Sequence, residues 1–314
     1  MTEIIDRADV VRILDDPRFL VPEPDAAAET SFDLFRARVS RFANGTMHAE
    51  RRARLQGMLA TLHPGALGAE AAARTRRILD AHDEVLQVND DDRADLRTDS
   101  PGTLTAAIAW HVPVATLARA LGFRDPDGAS PLVGRVADSY PTGPRTATAR
   151  QAETGDAMTE DEAIERLRMG SGAQGGEADL SVQLLVQAYA ATGTLIIGAM
   201  RRLAASGDSG SSTHDLLHRT LRDDAPVPTT RRIAPDGTSI VLRLDGPDHD
   251  ADAEHERRLL AFGEGPRRCP APHHALAIAG AVIDELRAGT PQHPSVSSPA
   301  DHLRIRGATH ADRC

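Results

Sequence analysis

The chain has 314 residues, of which 40% are apolar and 26% charged, so it can bury a large core as a globular protein. Its formal net charge of −10 and 3% aromatic content argue against nucleic-acid binding, and its two cysteines, Cys269 and Cys314, argue against a disulfide-framed secreted fold. The opening MTEIIDRADVV has no signal-like apolar core and no uninterrupted apolar run reaches eighteen residues, so a cytoplasmic protein without a membrane span is expected.

Residues 8–15 show helical spacing, and Asp16-Pro17-Arg18-Phe19 ends that helix, because proline disfavours helix in the residue before it. Residues 31–42 put Phe32, Phe35, Val39 and Phe42 on one side of an amphipathic helix, which Asn44-Gly45 breaks. His48 and Arg52 follow at a spacing of four, so they project from one helical face and can converge on one anionic group. A basic, solvated helix face is the alternative at that point. Residues 66–86 read as a long helix and residues 90–99 as an acidic connection. Residues 104–123 are an apolar stretch containing Pro113, which resembles a helix-proline-helix core segment of a family named below, with Trp110 and His111 in packing roles.

Residues 125–157 are rich in Pro, Gly, Thr and Ala with few apolar anchors, which suits a mobile lid or an insert. GSGAQGG at 170–176 is a flexible linker, and without a preceding strand its glycines make no phosphate loop. Residues 180–203 form the longest apolar helix, residues 206–212 a Ser/Gly linker, and residues 213–222 another helix. Residues 229–244 read as two strands about Pro235-Asp236-Gly237, and a terminal hairpin with Leu303, Ile305 and Ala308 is expected in the tail.

The stretch at 259–283, LLAFGEGPRRCPAPHHALAIAGAVI, sets a cysteine in a Gly/Pro loop that leads into an apolar helix. Gly263 and Gly265 allow tight backbone turns, and N–H groups at the helix start can donate to the Cys269 sulfur and lower its basicity. Such a thiolate can be an axial ligand of haem iron. A buried structural cysteine is the plainer reading. A zinc site with His273 and His274 lacks a fourth ligand or a CxxC pair.

This loop resembles the cysteine-ligand loop of the cytochrome P450 family, F-G-x-G-x-H-x-C-x-G, through Phe262, Gly263, Gly265, Arg267 and Cys269, with Ala271 in place of the last glycine. The D-P-R-F turn, the H-x-x-x-R of His48 and Arg52, Arg232 in the strand pair and Ala188 to Thr192 resemble further family motifs in the expected order. The resemblance implies a mostly α (α+β) haem-thiolate fold, one domain over 1–314, without the usual N-terminal helix and first strands and shortened at the meander. It implies haem b (iron protoporphyrin IX) with Cys269 on the metal, and His48, Arg52, Arg232, Arg267, Phe262 and Gly263 around the cofactor. Thr192 and Ala188 would be the catalytic pair of a monooxygenase that acts on a small organic substrate with dioxygen. Ferredoxin and ferredoxin reductase would be its electron partners, docking near Arg257, Arg258 and Arg268.

Three positions depart from the pattern. Ala191 replaces the acid that helps order proton-carrying water, Tyr189 replaces a small glycine and would narrow the oxygen groove, and Arg219 replaces the Glu of E-x-x-R before Arg222. Two arginines three apart repel, so the usual buried ionic cluster is not expected. These departures keep open a haem-binding or scaffold protein without turnover, and peroxide-driven or isomerase-type chemistry.

Overall fold

The computed structural model describes residues 2–24, 29–88, 101–140, 158–206, 210–245 and 259–289. Strand β1 (Thr2–Ile4) is followed by helices α1 (Arg7–Asp15), α2 (Ser31–Arg38), α3 (Gly45–Ala60), α4 (Pro64–Val88), α5 (Pro101–Ala120), α6 (Ala129–Ser139), α7 (Glu160–Gly170), α8 (Gly176–Ser206) and α9 (Thr213–Asp223). Strands β2 (Thr229–Ile233) and β3 (Ser239–Arg243) come next, then two short 3-10 turns (Leu260–Phe262 and Gly265–Arg267) and helix α10 (Pro272–Gly289). The architecture is mostly α with one small sheet, as the sequence implied.

Helix α8 is the axis on which the rest is laid, with α5, α6, α9 and α10 packed along it. Its stretch Gly176–Ala205 is long and apolar enough to cross a membrane by length and composition, although no uninterrupted apolar run reaches eighteen residues, and 61% of its apolar eighteen-residue window is buried in the fold. Val182, Leu185, Ile196 and Ala199 join Phe32, Phe35, Ile108, Val133, Ile164 and Val282 in the main core. Polar residues fix the helix starts: the Asp6 side chain accepts from the Asp9 N–H, and Thr159 and Glu162 form a reciprocal capping box on α7.

Several elements differ from the sequence reading, each for a physical reason. Helix α5 runs unbroken through Pro113, because Ala109, Val112 and Val114 on either side are fully buried and their packing offsets the lost backbone bond. Helix α2 stops at Arg38, and Arg51 of α3 donates to the Ala37 and Val39 carbonyls at 2.8 and 3.0 Å, capping the orphaned end while Phe42 stays buried. Residues 129–139 form a helix that buries Val133 and Val136, so this part of 125–157 is anchored, not a lid. Helix α7 was not read from the sequence at all.

The first residues also supply a strand where none was expected. Strand β1 pairs in parallel with β3, Glu3 opposite Val241, and β3 pairs antiparallel with β2, giving the order β1-β3-β2. A bridge between Leu20 and Ile233 ties the turn after α1 to β2. The acidic connection at 90–99, the segment at 246–258, the tail hairpin, Cys314, and Arg257 and Arg258 lie outside the described residues.

Candidate functional site

Two left-handed glycines shape the cysteine loop, Gly263 at φ 69° and Gly265 at φ 66°. The Gly263 N–H donates to the Leu260 carbonyl at 2.7 Å and the Cys269 N–H to the Phe262 carbonyl at 2.7 Å, which folds the loop back on itself. A Cβ at Gly265 would lie 2.7 Å from the Leu14 carbonyl oxygen and 2.8 Å from the Asp15 Cα, so α1 closes on the loop only because glycine is there. Gly265→Ala is therefore expected to cost about 2–4 kcal/mol, from the positive φ and the overpacking together. An unchanged denaturant midpoint in that variant would contradict this account.

The Cys269 sulfur accepts from the Ala271 N–H at 3.5 Å. Burial pushes its thiol pKa up, while that N–H and the charges of Arg52 and Arg268 pull the other way. Ala271 itself packs with Leu55 and Leu59 of α3 and Leu180 and Leu184 of α8, fixing where the loop ends. In front of the sulfur lies an open hollow of about 510 Å³, walled by His48, Arg52 and Gln56 of α3 and by Pro266, Arg268 and Cys269 of the loop.

Cations from three separate parts of the chain gather here. Arg232 on β2 is 4% exposed and donates to the Thr230 Oγ1 at 3.0 Å and the Arg231 carbonyl at 2.8 Å. Arg267 donates to the Ala43 carbonyl and, at 2.9 Å, to the Asn44 Oδ1. Arg52 donates to the Arg268 carbonyl, while its Nε is buried with no partner. Among the described residues none of these three guanidinium groups forms an ion pair with a carboxylate.

Their titration records the crowding. Burial, with Arg267 and Arg41 nearby, holds Arg232 down to about 10. Burial and Arg52 hold Arg267 down to about 10, against the opposing pull of Glu23. Burial, then Arg267, Arg52 and Arg232, hold the His48 imidazole down to about 4. Unpaired buried charge is costly, so this arrangement asks for an anion that the described residues do not place in an ion pair with it.

His48 makes the demand measurable. Its folded pKa lies below the unfolded value of 6.5, so the unfolded chain takes the proton first. Its contribution is fully present above pH 6.5 and is lost as pH falls toward about 4, by up to about 3 kcal/mol in the empty protein. Equilibrium unfolding across that window is expected to show the loss, and His48→Gln to remove it. An equal acid-side loss in the variant would assign the effect elsewhere.

The other sequence-derived residues are placed as follows. Phe262 packs against the main core beside Leu259 and Ala261. Thr192 is buried on α8 and Ala188 packs on the main core, and neither lines the hollow that Cys269 faces. Tyr189 stacks on Trp110 at a ring separation of 5.0 Å, and its hydroxyl sits where a side chain on Gly134 would be. Its ring is thus taken up by α5 and α6. Arg219 turns back to the Asp215 carbonyl and the Ser211 hydroxyl, and Arg222 pairs with Asp223 at 2.6 Å, so the two repelling arginines find separate local partners. His274 is held at 2.9 Å from the Leu62 carbonyl, and no group of three metal-ligating residues occurs among the described residues. Arg41 and Asn44 were missed by sequence reading. Arg41 sits in an ordinary turn, and Asn44 reads in the sequence as nothing more than part of the break after the preceding helix.

No family model matches this chain, and no curated protein matches it. Solved structures do. CYP109B1 from Bacillus subtilis, described as a versatile cytochrome P450 enzyme, superposes with a TM-score of 0.61 at 16% identity, over 92% of this chain and 86% of that one. P450BioI, solved with an acyl carrier protein ligated to hexadec-9Z-enoic acid, gives 0.58 at 16% identity over 92% and 85%. A thermophilic cytochrome P450 from Sulfolobus tokodaii gives 0.59 at 15% identity over 91% and 86%. At such identities the likeness is one of architecture, and the fold of this chain is the cytochrome P450 fold.

Proposed function

We propose that the chain is a haem-thiolate monooxygenase, a single cytochrome P450-like unit over 1–314 that oxidises a small organic substrate in the cytoplasm. The observation that carries this reading is the gathering of His48, Arg52, Arg232 and Arg267, buried or half-buried and without an ion pair to a carboxylate among the described residues. His48 and Arg52 stand in the wall of the hollow that holds the cysteine sulfur. Haem b meets both needs at once, with iron for the sulfur and two propionates for the cations. Cys269 would hold the metal, aided by the Ala271 N–H, and Phe262 and Gly263 would shape the loop beneath it. When bound, haem would supply the activation of dioxygen with two electrons from a ferredoxin and its reductase.

The protein's own residues would orient and protect that chemistry. Propionate binding among the cations would raise the His48 pKa back toward its ordinary value and relieve the strain of the empty cluster. Thr192, beside Ala188 on α8, would hold a proton-carrying water at its Oγ1 without a neighbouring carboxylate, since Ala191 supplies none. Arg268, in the wall of the hollow, would offer charge to an acidic electron carrier.

A second reading is favoured by the separate, local pairing of Arg219 and Arg222, and it keeps haem binding without oxygenase turnover. The deciding experiment is haem titration of freshly expressed protein, followed by the spectrum of the reduced carbon monoxide complex. A red-shifted Soret band is expected, with substrate oxidation when ferredoxin and its reductase are supplied. Haem uptake without turnover under ferredoxin supports the second reading, turnover with peroxide alone favours peroxide-driven chemistry, and no haem uptake overturns every haem-based reading and favours a scaffold protein.

A further inference from the structure

The geometry points to Asn44 as the positioning residue that sets the cation cluster in register, an inference that rests on the haem reading. Asn44 stands at the N-cap of α3, where an asparagine side chain ordinarily accepts from the first free N–H groups of its helix. It makes no such bond here. Its Oδ1 instead accepts from the Val21 N–H at 3.0 Å and from the Arg267 guanidinium at 2.9 Å. Its Nδ2 donates to the Val21 carbonyl at 2.9 Å and to the Glu23 carboxylate at 2.8 Å. All four hydrogen-bonding capacities of the amide are used, and none of them serves the helix it begins.

Those bonds hold the cysteine loop directly, and through the Asn44 backbone and the neighbour of Val21 they connect with the other two elements that carry a cation. The backbone of Asn44 opens α3, where its carbonyl accepts from the His48 N–H at 3.3 Å, and His48 and Arg52 lie one and two turns on. Its Oδ1 holds Arg267 of the cysteine loop directly. Its two bonds to Val21 fix the strand-like segment whose preceding residue, Leu20, exchanges backbone bonds of 3.0 and 2.7 Å with Ile233, next to Arg232. One amide therefore ties together the helix, the loop and the strand that must present guanidinium groups to a single dianionic rim. Glu23 joins through the same amide and is the one acid that pulls Arg267 toward its charged form.

Charge-assisted bonds to a guanidinium are worth more than neutral ones, so the loss is readable. Asn44→Ala is expected to speed haem release to an acceptor protein about tenfold, the scale of one such bond. Arg267→Ala is expected to do the same, and the double variant to be little worse than either single one, because Asn44 acts through Arg267. Asn44→Asp keeps the oxygen that faces Arg267 but cannot donate to Val21 or Glu23. It loses the donation to Val21 and sets a second carboxylate beside Glu23, yet it is expected to release haem more slowly than Asn44→Ala, because the bond to Arg267 is the larger of these effects. Unfolding of the empty protein is followed in parallel, and if Asn44→Ala does not fold, the aspartate variant decides. Additive losses in the double variant, or an aspartate variant as leaky as the alanine one, would overturn the assignment while leaving haem binding by the unaltered protein intact. If the unaltered protein takes up no haem, the haem reading fails first and this one with it.

Discussion

Cys269→Ser is expected to abolish the red-shifted Soret band of the reduced carbon monoxide complex and to weaken haem retention by at least about tenfold. The size of the effect follows from burial. The sulfur is shielded on the protein side and shares the open hollow with His48, whose imidazole would give a different spectrum from a thiolate if it took the place of the sulfur. A serine hydroxyl is nearly the same size but far less acidic, so it is a poor anionic donor to a metal. The loop itself should survive, because its closing bond from residue 269 to Phe262 is made by the backbone. Unfolding of the empty variant is thus expected within about 1 kcal/mol of the unaltered protein, as for a volume-conserving change at a half-buried position. The cation cluster is untouched, so loosely held haem with an ordinary spectrum is the expected residue of binding. A serine variant whose spectrum matches the unaltered protein would remove Cys269 from the metal.

Which parts of this arrangement could be read from the sequence depends on the range over which each is determined. Helices α1, α3, α8 and α9 and the β2-β3 hairpin announce themselves locally, through apolar spacing and the Pro235-Asp236-Gly237 turn. Strand β1 does not, since Thr2–Ile4 is three residues long and its partners lie more than two hundred positions away. Helix α6 is hidden because, beside Val133 and Val136, its buried face is made of the small residues Ala129 and Ser130 within a polar stretch. In the site, His48 and Arg52 were legible from their spacing of four, and Arg267 and Cys269 from the spacing of the loop. Asn44 was not, because its meaning lies in Val21 and Glu23 before it and Arg267 far after it. The missing counter-ion was the least legible feature of all. A chain with 46 acids against 36 basic residues gives no hint that its central guanidinium groups form no ion pair with a carboxylate among the described residues.

That missing counter-ion leads to a result of opposite sign in the two states of the protein. Arg232→Met is expected to stabilise the empty protein by about 1–3 kcal/mol, because it replaces a buried, uncompensated charge with an apolar chain of similar length. The loss of the bonds to Thr230 and to the Arg231 carbonyl offsets part of this gain, since both are made within the same strand. The same change is expected to weaken haem retention about tenfold, because a propionate would then face one guanidinium fewer in a dry setting. His48 should respond as well. With Arg232 gone, one of the three charges that hold its imidazole down is removed, so the acid-side loss of stability in the empty variant shrinks. A purely structural arginine would behave differently, losing stability with and without haem and leaving the His48 profile where it was. Chemical denaturation of both states between pH 4 and 7 separates the two cases, and a variant weakened in the empty state would show that Arg232 supports the strand and does not wait for an anion.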